Sequence, residues 1–238
     1  MLKPLAIIQL GEPPEDVLEQ VGQQNEWFKK ALSLPNDNVK IFRPDLDEPI
    51  PPSENFSGAI ITGSWAMVTD LHPWSELTAE WIRKSHSDCL PLLGVCYGHQ
   101  LITHALGGLV GDNPTGSERG LQLIELCGDY QNDPLLKHIP KNVSAWLSHQ
   151  QTVLVPPLGA KVLAFSTQDS YQIIRYSDTT FSVQFHPEFS LDIMLACLRN
   201  HGSIDHLLDG NNFPTWPRFI LQRFYNYYCT APTCDYIH

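Results

Sequence analysis

Cys96 lies in Gly94-Val95-Cys96-Tyr97-Gly98, a thiol with a glycine two residues to either side. G-x-C-x-G is the thiol counterpart of the strained strand-to-helix elbow that presents a nucleophile. The glycines answer a steric demand, because the backbone turns so sharply there that side chains two residues away would clash with it. An apolar run, Leu90 to Val95, precedes the thiol, and a helix carrying Leu101, Ile102, Ala105 and Leu106 on one face follows it. The sulfur then sits at a helix N-terminus, where the positive end of the dipole favours a thiolate. The amide of Tyr97 points into the same space and can stabilise an oxyanion. In an open α/β sheet this junction is the carboxyl end of a strand, where ligands bind. The plainer alternative is a buried cysteine with incidental glycines.

A thiol nucleophile needs a base, and the base needs a third group to orient it. Phe181-Ser182-Val183-Gln184-Phe185-His186-Pro187-Glu188-Phe189 supplies both. A strand would deliver His186 at its carboxyl end, Pro187 would break that strand, and Glu188 could then lie beside the imidazole. A carboxylate on one ring nitrogen leaves the other free for the thiol. Of the 10 histidines, His72, His86, His138, His201, His206 and His238 lie in polar segments and read as solvent-exposed. His99 and His104, on the nucleophile helix, read as packing or surface positions. There is no HExxH and no CxxC, so no metal is expected, and no P-loop or GxGxxG, so no nucleotide cofactor.

The elements that must hold these groups alternate. Residues 5–10 read as a buried strand ended by Gly11, and Pro13-Pro14-Glu15-Asp16 opens a helix whose apolar face runs from Val17 to Leu32. Strands are expected at 39–42 and 57–64, a helix at 74–83, a strand at 90–95 and a helix at 97–106 closed by Gly107-Gly108. Strands separated by helices indicate βαβ units and a parallel sheet. From about 109 to 186 the pattern becomes short β runs at 122–126, 143–147, 161–165, 172–176 and 181–185, some of them antiparallel, and a helix near 190–199 follows. Residues 213–228 carry an aromatic stripe that includes Trp216, Phe219, Phe224 and Tyr228. Docking on its own domain is the preferred reading, with a homodimer or other partner contact as the alternative.

The 238 residues suit a domain over 1–200 with a helical extension over 201–238. Hydrophobic residues at 42% and charged residues at 17% are globular proportions. A net charge of −11 argues against a nucleic-acid surface, which needs a basic patch. No segment has the roughly 18 consecutive apolar residues of a membrane helix, and the start lacks a signal-peptide pattern. A cytoplasmic location with no membrane partner is the expectation. The cysteines at 89, 96, 127, 197, 229 and 234 do not form a dense disulfide framework and are expected as thiols.

Gly-Val-Cys-Tyr-Gly-His-Gln at 94–100, Ala-Leu-Gly-Gly at 105–108 and Val-Gln-Phe-His-Pro-Glu at 183–188 together resemble the class I, triad-type glutamine amidotransferases. Ile60-Ile61-Thr62-Gly63-Ser64 is similar to that family's strand-plus-glycine turn, and Trp146-Leu147-Ser148-His149-Gln150 to its substrate-gripping loop. The resemblance spans about residues 5 to 195. It implies a flavodoxin-like open, mostly parallel sheet with helices on both faces and a small antiparallel β element. It also implies that Cys96 attacks a γ-glutamyl amide to give a thioester, with His186 as base and Glu188 as its orienter. The backbone of Gly63, Ser64 and Tyr97 would form the oxyanion hole. Gln100, Ser148, His149, Gln150 and Gln151 would contact the glutamine or other γ-glutamyl substrate. Ser64 and Trp65 stand where the family usually has glycine and proline, which alters the pocket wall. Gly116-Ser117-Glu118-Arg119-Gly120 resembles a G-x-E-x-G segment near the same pocket, or is simply a turn before a strand. The elbow also resembles dienelactone-hydrolase-type enzymes, but those place the acid before the histidine, and here it follows.

About 50 residues follow the His/Glu segment, so no synthase domain is expected on this sequence. The resemblance therefore leaves a glutaminase feeding ammonia to a separate synthase subunit, like the GMP synthase glutaminases, or a free-standing γ-glutamyl peptidase. The Ile-Thr-Gly-Ser turn is closer to the peptidase branch. A catalytically silent binding module should have lost part of Cys96, His186 and Glu188, and this chain retains all of them.

Overall fold

The structure, a computed structural model, describes residues 3–34, 38–198 and 213–230. The expected boundary at residue 200, Cys234 and the histidines at 201, 206 and 238 lie outside the described residues. The first half alternates strand and helix: β1 (Leu5–Ile8), α1 (Glu15–Val21), α2 (Gln24–Leu32), β2 (Val39–Phe42), β3 (Gly58–Ile61), α3 (Pro73–Ser87), β4 (Leu92–Val95) and α4 (Tyr97–Ala105). The second half is mainly β: β5 (Leu109–Asp112), β6 (Glu118–Leu126), β7 (Asn142–His149), β8 (Gln151–Val155), β9 (Lys161–Phe165), β10 (Ile173–Arg175) and β11 (Thr180–Val183). Helices α5 (Leu191–Leu198) and α6 (Trp216–Phe224) follow, and α6 runs on into a π-helical turn over Tyr225–Cys229.

A nine-stranded sheet runs β2-β1-β3-β4-β11-β10-β9-β6-β7. The side from β2 to β11 is parallel, and the strands from β10 to β7 are added antiparallel in the same sheet. β5 and β8 form a separate two-stranded antiparallel sheet. Period-2 alternation sorts each strand onto two cores. Leu5, Ile7, Ile60, Leu93 and Val95 face α2 and α6, whereas Ala6, Ile8, Ala59, Ile61 and Leu92 face α3 and α4. The parallel strands β4 and β11 are neighbours in register, with Val95 opposite Val183. That pairing brings the segments after both strands to one rim.

Three expectations change. The single helix opened at Pro13 is two, because Gly22 at φ +77 caps α1 and gives its N–H to the Leu18 carbonyl. The run expected at 122–126 begins four residues earlier, so Glu118 already belongs to β6. β5 and β8 are two strands not expected from the sequence; β5 buries only Val110, and β8 buries Gln151, Thr152 and Val153. The aromatic stripe of α6 docks on the chain's own sheet: Ile220, Leu221 and Phe224 are fully buried in the core that holds Leu5 and Ile7. Phe219 and Tyr227 stay exposed. Among the described residues no helix is long and apolar enough to cross a membrane, and the five described cysteines are free.

Candidate active site

The chain from β4 to α4 turns through Cys96 at φ +52 and ψ −104, a conformation a side-chain-bearing residue seldom adopts. The neighbouring glycines are compulsory in steric terms. A Cβ on Gly94 would lie 2.5 Å from the Gly98 carbonyl oxygen, and one on Gly98 would run into the Ile61 backbone. The turn is tied down by Cys96 N–H to the Val183 carbonyl at 2.9 Å and Gly98 N–H to the Thr62 carbonyl at 3.0 Å. The sulfur sits at the N-terminus of α4 and lies 3.9 Å from the Ser148 carbonyl oxygen.

His186 follows β11 on the same rim. Its Nδ1 is 2.8 Å from Glu188 Oε1, and the sulfur of Cys96 is within hydrogen-bonding reach of the ring. Phe189 stacks on the imidazole with centroids 4.0 Å apart, and Trp27 meets Phe189 edge-on, so the ring is clamped by packing as well as by charge. Burial opposes a charge on this ring. The Glu188 carboxylate and the Cys96 sulfur outweigh that penalty and raise the His186 pKa to about 10. Glu188 itself is buried.

One open cleft of about 830 Å³, its mouth included, is lined by Cys96, His186 and Glu188 together with Gly63, Ser64, Tyr97, Gln100, Ser148, His149, Gln150 and Gln151. Every site residue expected from the sequence therefore meets there. A Cβ added to Gly63 would stand 3.3 Å from His186 Cε1 and 3.7 Å from Cys96 Cβ, which puts that turn against the reacting groups. Among the described residues, the Gly63 and Ser64 amides have no protein acceptor. Tyr97, the first residue of α4, has none inside its helix. Gln100 Nε2 donates to the Gln151 carbonyl and to Gln184 Oε1, at 2.7 and 3.0 Å. Gln151 spends its side chain on Thr69 and Asp112. His149 behaves differently from a free substrate ligand, since both its ring nitrogens are spent, on the Gln151 carbonyl and on Glu118.

Sequence reasoning did not single out Gln24, Trp27 or Phe189 as cleft residues, whereas Arg119, also in the lining, lies in the Gly116–Gly120 segment expected near the pocket. Phe189 had a signal, being the residue directly after His-Pro-Glu. Trp27 and Gln24 lie far from the motifs and join the cleft only through the packing of α2.

A family model for glutamine amidotransferase class-I matches residues 17–201. The glutamine-hydrolyzing GMP synthase subunit of Sulfurisphaera tokodaii is 31% identical over 169 residues, covering 70% of this chain and 85% of that protein. Gamma-glutamyl peptidase 2 of Arabidopsis thaliana is 29% identical over 203 residues, covering 81% of this chain and 79% of that protein. A crystal structure of a glutamine amido transferase from Methylobacillus flagellatus superposes with a TM-score of 0.79 over the full length of both chains at 20% identity, a likeness of fold. The chain belongs to the class I glutamine amidotransferase family. The mixed sheet with helices on both faces is that family's architecture.

Proposed function

We propose that this chain hydrolyses the side-chain amide of glutamine, or of a related γ-glutamyl compound, through Cys96, His186 and Glu188. The observation that carries this reading is the convergence of the elbow sulfur with an imidazole whose other nitrogen is held by a buried carboxylate. In the first half-reaction the sulfur bonds to the amide carbon and the oxygen takes the electron pair. The Gly63, Ser64 and Tyr97 amides stabilise that oxyanion. The C–N bond then breaks, the proton on His186 passes to the leaving nitrogen, and a γ-glutamyl thioester remains. In the second, water gives a proton to His186 as its oxygen bonds to the same carbon, and the C–S bond breaks to restore the thiolate. Glu188 holds the ring and stabilises its charged form throughout.

The elevated His186 pKa suits this order of events, because the ring begins as the acid that the leaving nitrogen needs. The relatives named as glutamine-hydrolyzing GMP synthase subunits support ammonia delivery to a separate synthase chain. The peptidase reading is favoured by one observation: that relative aligns over more of the chain than the GMP synthase relative does. Cys96→Ala should abolish ammonia release from glutamine and amine release from γ-glutamyl dipeptides while leaving the circular dichroism spectrum unchanged. Turnover by that variant would refute the nucleophile. With the wild-type chain alone, strong dipeptide turnover would select the peptidase, and ammonia release from glutamine would select the glutaminase.

A further inference from the structure

At the wall of the cleft lies a second glutamate–histidine pair, Glu118 and His149, both buried and directly opposite one another in the β6–β7 ladder. Glu118 Oε2 is 3.0 Å from His149 Nε2. The carboxylate also accepts from Ser166 Oγ at 2.6 Å and from Gln172 Nε2 at 2.8 Å. The other ring nitrogen, Nδ1, is 2.9 Å from the Gln151 carbonyl. A carbonyl only accepts, so Nδ1 carries a hydrogen. A carboxylate also accepts, so a further proton lies between Nε2 and Glu118. The ring is thereby locked at both ends.

What the lock holds is the turn between β7 and β8. The Gln151 carbonyl takes hydrogen bonds from His149 and from Gln100 of the nucleophile helix. The Gln150 carbonyl accepts from Asn113 N–H at 2.9 Å. Because a peptide unit is planar, the Gln151 N–H must point the other way, off β5 and toward the side where Gln100 lies. The same turn places the Ser148 carbonyl on the Cys96 sulfur.

We propose that Glu118–His149 is a positioning pair that fixes the backbone of 148–151 so that its amide edge grips the α-amino-acid end of the substrate. This rests on the amide-hydrolysing reading above and gives Glu118, in the Gly-Ser-Glu-Arg-Gly segment, its task. Neither residue touches the reacting atoms.

The test uses the full chain with Glu118→Ala, Glu118→Gln and His149→Asn. Glu118→Ala should raise KM for glutamine about 10- to 100-fold, with kcat within a few-fold, since a buried partner is lost but the reacting groups are not. Alkylation of Cys96 by iodoacetamide, which has no amino-acid end, should be unchanged. Labelling by the glutamine analogue 6-diazo-5-oxo-L-norleucine should slow in parallel with the KM effect. Glu118→Gln should be close to wild type. Its amide can donate to a neutral His149, and the Gln172 amide can flip to present Oε1, which is buried and without a partner. His149→Asn keeps a donor near the position of Nδ1 and should be intermediate, which preserves the test if Glu118→Ala fails to fold. An unchanged KM in Glu118→Ala, or equal loss of iodoacetamide reactivity, would overturn the proposal. So would a glutamine variant as impaired as the alanine one. Glu118, His149 and Asp169 also present ligand atoms within 4.8 Å of one another. Stabilisation of the wild-type chain by added Zn²⁺, lost in Glu118→Ala, would replace the positioning role by a cation site. A wild-type chain that the analogue fails to label would remove the amide-hydrolysing reading as well. Equal labelling of wild type and Glu118→Ala removes only the positioning pair.

Discussion

Two buried glutamate–histidine pairs flank the sulfur of Cys96, with N–O separations of 2.8 Å for His186–Glu188 and 3.0 Å for His149–Glu118. Residue types and distances hardly distinguish them. What differs is the remaining ring nitrogen. In His186 it faces the Cys96 sulfur, whereas in His149 it is spent on the Gln151 carbonyl. A histidine–carboxylate pair can move a proton only if its far nitrogen meets a group able to exchange one. Otherwise it is a brace. The same chemistry thus serves as acid and base on the β11 side of the cleft and as scaffolding on the β7 side.

The largest effect that would break this contrast is on turnover. His186→Ala should lower kcat by about 10⁴-fold or more, since acid, base and sulfur activation fall together. His149→Ala should act mainly on KM. Steady-state kinetics on glutamine or a γ-glutamyl dipeptide would read both, and similar kcat losses at the two histidines would erase the distinction. Glu188→Gln should come next, at roughly 10²- to 10⁴-fold in kcat, because the amide still accepts from Nδ1 but no longer stabilises the imidazolium. A loss equal to that of Cys96→Ala would assign Glu188 more than orientation and electrostatics.

How legible each pair is in the chain follows from its covalent geometry. His186 and Glu188 are two residues apart after a strand, so one segment announces both, and the elbow glycines announce the thiol. The βαβ rhythm then suffices to bring β4 and β11 to a common rim. Glu118 and His149 lie 31 residues apart and meet only through the β6–β7 register, which no local pattern encodes. The Gly-Ser-Glu-Arg-Gly segment could be placed near the pocket, but not as the start of a strand. The helix break at Gly22 was hidden because the apolar positions on either side keep a helical spacing across it. β5 and β8 were hidden because their burial does not follow residue type: Leu109 and Val155 stay exposed while the polar Gln151 and Thr152 are buried, so no clean alternation marks either short strand.

A smaller effect would sharpen the geometry on the β11 side. Gly63→Ala puts a methyl group 3.3 Å from His186 Cε1, closer than packed carbons ordinarily come, so the ring or the turn must shift by a few tenths of an ångström. Misplacement on that scale should cost about tenfold in kcat, with little change in melting temperature. Unaltered kcat would mean that the turn stands further from the reacting groups than the fold places it.

The smallest effect concerns stability rather than rate. The His186 pKa is raised in the folded chain to about 10 from an ordinary 6.5, with burial working against the charge and Glu188 and Cys96 working for it. The stabilisation from that proton is therefore complete below about pH 6.5 and is lost as pH rises toward 10. His99, on the buried face of the nucleophile helix, has the opposite shift. Burial lowers its pKa to about 3, and its Nδ1 lies 2.7 Å from Ser182 Oγ. It favours the folded state above pH 6.5 and withdraws that support as pH falls. The melting temperature should thus decline on both sides of neutrality for different reasons. Glu188→Gln should flatten only the alkaline limb, and His99→Gln only the acid one. Thermal melts at pH 5, 7 and 9 on the three proteins would decide it: an alkaline slope unchanged in Glu188→Gln would mean that the carboxylate does not hold the His186 proton, and the contrast between a charged and a spent imidazole would lose its electrostatic half.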